Sequence, residues 1–154
     1  MGVFDNLFGG KNKVNEVDQI NYDVAQMASD LVQNMSKILP PELKLDYTEK
    51  SIQIVDLLIE QLRKEGSDER AAENEIMAFG AYVGETIKKN YGGKWTKPEL
   101  AGFPKDGSTY SVVFQLPNGV GINPLGRVLK YFRHGSQYSL TIFYDMLKTQ
   151  ITKG

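Results

Sequence analysis

The chain has 154 residues, no cysteine, 41% apolar and 24% charged residues, and a formal net charge of −1. These values describe a globular chain long enough to bury a core. They exclude disulfides, thiolate nucleophiles and cysteine-ligated zinc, and they fit a reducing, cytoplasmic setting. The small net charge hides a polarity. Residues 1–85 hold 8 Lys and Arg against 16 Asp and Glu, and residues 86–154 hold 10 against 3. Such a distribution predicts that the halves face each other, or that each offers a charged surface to a partner.

The opening Met1-Gly2-Val3-Phe4-Asp5 has no signal-peptide pattern, and Asn6 stands where a myristoylation motif wants Ser or Thr. Val3, Phe4, Leu7 and Phe8 recur at helical spacing before Gly9-Gly10. Residues 1–13 therefore read as a separate amphipathic or flexible segment, either a membrane-surface contact or a terminus that caps the core. No apolar run approaches the ~20 residues that span a bilayer.

Residues 14–154 read as a single domain. Val17, Ile20, Val24, Met27, Leu31 and Ile38 place one apolar stripe on a helix over 14–38, which Leu39-Pro40-Pro41 ends. After an extended link over Leu43–Tyr47, a second helix runs from about Glu49 to Lys64 and stops at Gly66. Ile52, Val55, Leu58, Ile59 and Leu62 mark its buried face, which Ile54 and Leu57 widen.

Ser67 caps a third predicted helix carrying Ile76, Phe79, Val83, Ile87 and Tyr91 on one side. Gly80 and Gly84 border that side, and Gly92-Gly93 stops the helix. Two interior glycines cost about 1 kcal/mol each relative to alanine, so another backbone is expected to approach closely there. Tyr82, Glu85 and Lys89 are expected to face away from the stripe, with Glu85 and Lys89 spaced for a helix ion pair.

Downstream the pattern changes. Lys94–Thr96 is a short strand candidate, and Lys97–Gly107 a loop. Thr109–Leu116 and Val120–Ile122 flank the Pro117-Asn118-Gly119 turn as a hairpin. Asn123-Pro124 starts a helix ending near Gly135, and Ser136 or Ser139 begins a last helix with Leu140, Phe143, Tyr144, Leu147 and Ile151 inward. The fold class is α+β: about three N-terminal helices, a two- or three-stranded antiparallel sheet that Trp95 extends, and two C-terminal helices.

Signals for chemistry are sparse. His134 is the sole histidine, sits at a helix end where a cation is favourable, and has no nucleophile motif beside it. No metal-ligand motif is present. The turn Gly119–Arg127 leads into a helix N-terminus, a weak anion-binding arrangement that matches neither the dinucleotide fingerprint nor the P-loop. Arg127, Lys130 and His134 share the polar face of their helix, with Lys88, Lys89, Lys94 and Lys97 near the end of the third helix. This charge suits phosphates or an acidic protein surface, or it is an ordinary solvated face partly paired with the acidic half. The lack of any aromatic-interleaved motif and the pI of 5.9 argue against nucleic acid.

The run Phe79-Gly80-Ala81-Tyr82-Val83-Gly84-Glu85-Thr86-Ile87, followed by Gly92-Gly93-Lys94-Trp95, resembles a pattern in small bacterial domains of unknown function. In these a Gly-x-Tyr-x-Gly-Glu helix leads into Gly-Gly-x-Trp. The likeness extends loosely to Ser51–Leu62, to Pro124 and to Phe143-Tyr144, and it implies a fold, not an activity. The expected function is a non-enzymatic protein-interaction module needing neither metal nor cofactor. Tyr82, Glu85, Trp95, Arg127 and Lys130 are its candidate contact residues, and Gly80, Gly84, Gly92 and Gly93 its structural motif. An enzyme or small-ligand domain assembled from scattered residues such as Tyr82, Glu85 and Arg127 is the alternative. Membrane association through residues 1–8 is a third reading, and self-association stays open.

Overall fold

The computed structural model describes residues 15–104 and 110–153. Helices α1 (Glu16–Ser36), α2 (Ile52–Lys64) and α3 (Glu73–Tyr91) precede strands β1 (Lys94–Thr96), β2 (Val113–Gln115) and β3 (Gly121–Ile122). Helices α4 (Pro124–His134) and α5 (Leu140–Lys153) follow. The strands form one antiparallel sheet in the order β1-β2-β3, with Trp95 opposite Phe114 and Phe114 opposite Ile122. This is the expected α+β architecture, with three N-terminal and two C-terminal helices.

Local signals set most boundaries. Asn15 accepts the Val17 N–H at 2.8 Å and starts α1, and Asn123 accepts the Gly126 N–H at 3.0 Å ahead of Pro124 in α4. Gly92 and Gly93 take φ values of 89° and 103°, which turn the chain out of α3 into β1.

Three expectations are corrected. The third helix starts at Glu73, not Ser67, because Asp68 closes a local turn by accepting from the N–H groups of Ala71 (2.8 Å) and Ala72 (3.1 Å). Ile38 does not continue the α1 stripe: the helix ends at Ser36 and Ile38 is 71% exposed. Leu57, placed on the widened face of α2, is 62% exposed.

Helix α3 is the packing axis. Every residue from Phe79 to Ile87 is buried, because α1, α4 and the Trp95 side chain of β1 pack against it. Gly80 lies against α4, where an added Cβ would stand 2.8 Å from Leu125 Cα. Gly84 makes room for a ring, not for the expected backbone: a Cβ there would overlap Cζ2 and Cη2 of Trp95. The Trp95 indole is fully buried and meets Phe114 edge-on at 5.2 Å between centroids. Burying a side chain of that size contributes about 4–6 kcal/mol before entropy is counted.

The two charge halves do face each other. Lys97 pairs with Glu16, Arg133 with Glu69 and Lys148 with Glu49, each joining the basic half to the acidic half. These pairs are exposed and individually weak. A better-placed contact crosses the same divide. Asp56 on α2 accepts from Leu140 N (2.7 Å), Thr141 N (3.1 Å) and Thr141 Oγ1 (2.6 Å), so its carboxylate caps α5.

Candidate functional site

Tyr82, Glu85 and Trp95 do come together, but inside the protein. Tyr82 and Trp95 are fully buried and Glu85 is 6% exposed, so the expectation that Tyr82 and Glu85 face away from the core is overturned. The cause is that α3 is enclosed by packing well beyond its apolar stripe. Glu85 makes no helix ion pair with Lys89. Its Oε2 accepts the Trp95 indole N–H at 2.9 Å, so the carboxylate anchors the ring that Gly84 accommodates. All three are buried and serve the packing of the core.

From that interior a polar chain leads to the surface. Tyr47 N–H donates to the Tyr82 hydroxyl at 2.8 Å, Ser51 Oγ lies 2.5 Å from the same hydroxyl, and Asn90 Nδ2 donates to Tyr47 O at 3.0 Å. The Tyr47 ring stacks on Tyr82 at 5.0 Å, with the Lys89 ammonium 4.7 Å from its centroid. Burial pushes both phenols above the usual tyrosine range. Tyr47 is also the one non-glycine residue with positive φ among those described, at 63°. A bulky residue holds that conformation only where its surroundings impose it.

The segment clamped in this way runs between two grooves. One, of about 360 Å³, is lined by Val32, Leu39, Pro40, Pro41, Leu43 and Leu45. The other, of about 300 Å³, lies on the α2 side against Leu43, Thr48, Lys50, Ile54 and Leu57. Asp46 borders both and is held below the usual carboxylate range by the Thr48 hydroxyl, 2.6 Å away. Exposed Leu57 lies on the second groove, and exposed Ile38 immediately precedes Leu39 of the first. Sequence reasoning missed this region because no pattern marks Tyr47, Ser51 or the link between them as a clamp.

Arg127 and Lys130 lie elsewhere. Arg127 Nε donates to Tyr138 O at 3.1 Å and Nη2 to Ser139 O at 3.5 Å, while its guanidinium stands 5.3 Å from the ring centroids of Tyr138 and Phe143. Burial holds its pKa below the usual arginine value. Lys130 Nζ is 5.8 Å from the Tyr138 centroid. Arg127 shares no hydrogen-bond partner with Tyr82 or Glu85. The Gly119–Arg127 turn loses its anion-binding reading. Pro124 has no N–H, Asn123 occupies the N–H of Gly126, and Arg127 turns to the Tyr138 carbonyl.

The sheet offers no useful edge for an added strand. Asn21 on α1 closes β1: its Nδ2 donates to Trp95 O at 2.9 Å and its Oδ1 accepts from Trp95 N at 2.9 Å. Strand β3 is two residues long, and Ala101 and Phe103 pack against Gly121. Among the described residues no group of acidic or histidine side chains could hold a metal, and no helix is long and apolar enough to cross a membrane. Val3, Phe4, Leu7 and Phe8 lie outside the described residues. Compared with known proteins, the chain matches no family model, no curated protein and no solved structure.

Proposed function

We propose that the protein is a cytoplasmic, non-enzymatic protein-interaction module of bacterial type, akin to the Gly-x-Tyr-x-Gly-Glu domains its central helix resembles. Its partner presents an apolar segment, most simply one face of an amphipathic helix, to the grooves beside Leu39–Asp46. One observation carries this reading. Ile38 and Leu57, at 71% and 62% exposure, accompany two grooves, the first lined mainly by apolar and the second mainly by polar side chains, along a segment that Tyr47, Ser51 and Tyr82 hold in place. Apolar side chains left in water beside the cleft that Val32, Leu39, Pro40, Pro41 and Leu45 line support a contact surface there, and a preorganised loop lowers the entropic cost of binding. Strand addition is disfavoured by the closed edge of β1.

The clefts also bear on the enzymatic alternative. Glu49 and Asp145 line an opening of about 380 Å³ between α2 and α5. Glu49 is paired with Lys148, however, and no nucleophile with an activating base accompanies it. Photo-crosslinking tests the groove reading. A benzophenone amino acid at position 38 or 57 should trap one discrete partner in the native cell, whereas the same probe at exposed Gln26 should not. Equal labelling from all three positions would remove the proposal.

A further inference from the structure

We propose that the face of α4 around Tyr138 is a separate docking surface for an acidic protein segment, one rich in Asp and Glu. This goes beyond the groove reading and does not depend on it, since it rests on other residues. Helix α4 ends at His134, and the Ser136–Tyr138 turn folds Tyr138 back beside the helix. Arg127, Lys130 and His134 follow one another at spacings of three and four, which places them on one face. All three reach the same ring. The Arg127 guanidinium is 5.3 Å, the Lys130 ammonium 5.8 Å and the His134 ring 5.7 Å from the Tyr138 centroid.

Charge neutralisation on this helix is uneven. Arg133 forms a fork with Glu69, at 2.6 and 2.8 Å, and Arg63, which donates to Phe132 O, is paired with Glu60 at 3.0 Å. Arg127 and Lys130 form no ion pair among the described residues. Asp56 is the acidic group whose charge Arg127 feels, yet both its oxygens are committed to the N-terminus of α5. The acidic side chains among the described residues therefore leave these two cations open to an outside partner.

The arrangement is also preorganised. Arg127 is held on two backbone carbonyls and lies 5.3 Å from the ring centroids of Tyr138 and Phe143, while its Nη1 takes no hydrogen-bond partner among the described residues. A fixed guanidinium loses less freedom on meeting a carboxylate. Aromatic carbon around it supplies a floor for the apolar stems of Glu side chains. Two permanent charges on a chain of net charge −1 make a poor track for a polyphosphate backbone, whose binding draws on many cations at once. Carboxylates spaced along a peptide fit the patch better.

The test uses the full chain and a fluorescein-labelled Glu-rich peptide, followed by anisotropy, with oligothymidylate of equal charge as a second probe. The peptide should bind, and affinity should fall as salt rises from about 0.05 to about 0.2 M. Lys130→Glu should weaken binding about tenfold or more, and Lys130→Arg should retain it. Lys94→Glu, an equal charge change on β1, should alter it less than about twofold. Lys130 is exposed and makes no hydrogen bond among the described residues, so the variants keep their fold, which circular dichroism verifies. Equal losses from Lys130→Glu and Lys94→Glu, no loss from Lys130→Glu, or tighter binding of the oligonucleotide would each overturn the assignment.

Discussion

The hydroxyl of Tyr82 stands 2.5 Å from Ser51 Oγ, and the neighbouring bonds fix which atom donates. Ser51 Oγ donates its proton to Thr48 O at 2.6 Å, and Tyr47 N–H donates to the Tyr82 oxygen at 2.8 Å. Tyr82 must therefore donate to Ser51. One phenol thus links α3, the start of α2 and the strained Tyr47 in a single directed chain. Tyr82→Phe would leave a Tyr47 N–H without its acceptor and Ser51 Oγ without a donor. The expected cost is about 1–3 kcal/mol, read as a lowered midpoint in urea. Faster exchange of the Tyr47 amide should accompany it, and an unchanged midpoint would show that water replaces the phenol.

The same substitution should act in the opposite sense at Tyr144. Its hydroxyl is buried with no hydrogen-bond partner of good geometry among the described residues, because the neighbouring Asn90 amide donates to Tyr47 O and Thr86 O instead, and its ring tilts against Tyr91 at 6.2 Å. Removing a polar atom that is desolvated and unpaired recovers that penalty. Tyr144→Phe is expected to raise the thermal midpoint, corresponding to roughly 1 kcal/mol of added stability. A loss of stability would mean that the hydroxyl holds a buried water.

Where the sequence succeeded and failed has a physical reason. The helices, the Asn123-Pro124 start and the hairpin turn were legible because each is written in residues a few positions apart. The burial of Tyr82 and Glu85 was not. A helical wheel records one face, whereas α3 is covered over the whole run from Phe79 to Ile87. Asn21 was invisible for another reason: its partner Trp95 lies 74 positions away, and a lone polar residue on an amphipathic helix carries no mark of such a bond. Gly84 was read correctly as a close approach, but the approaching group is an indole, which spacing does not reveal.

The Gly84–Trp95 contact makes a testable pair. Alanine improves helix propensity by about 1 kcal/mol over glycine, yet at position 84 its methyl would overlap the buried indole. Overpacking of this kind costs about 1–3 kcal/mol, and Gly84→Leu should cost more than Gly84→Ala. Trp95→Phe removes the overlapping carbons, so the double variant should be more stable than the sum of the single losses predicts. Strict additivity in denaturant melts would show that the two positions are not in contact.

Asn21 predicts an effect confined to one strand. Its amide supplies both a donor and an acceptor to Trp95, in place of a neighbouring strand. Asn21→Ala should cost about 1–3 kcal/mol and accelerate hydrogen exchange at the Trp95 amide. The amide of Phe114, on the covered strand β2, should stay protected until global unfolding. Equal acceleration at both amides would show that the sheet opens as a unit.

Alkaline stability should depend on Tyr131. Its hydroxyl donates to Glu60 Oε1 at 3.3 Å, and burial, with Glu60 and Asp56 nearby, pushes its pKa from 10.0 up to about 12. A raised folded-state pKa means that the folded protein retains the proton after the unfolded chain has lost it. The resulting stabilisation is fully present below pH 10 and is lost as pH rises through about 12. Tyr131→Phe removes this linkage. In urea titrations across that window the variant should lose stability less steeply than the wild type, although it begins lower because Glu60 has lost a donor. Parallel slopes would show that the phenol ionises equally easily in both states, and that the carboxylates of Glu60 and Asp56 do not govern it.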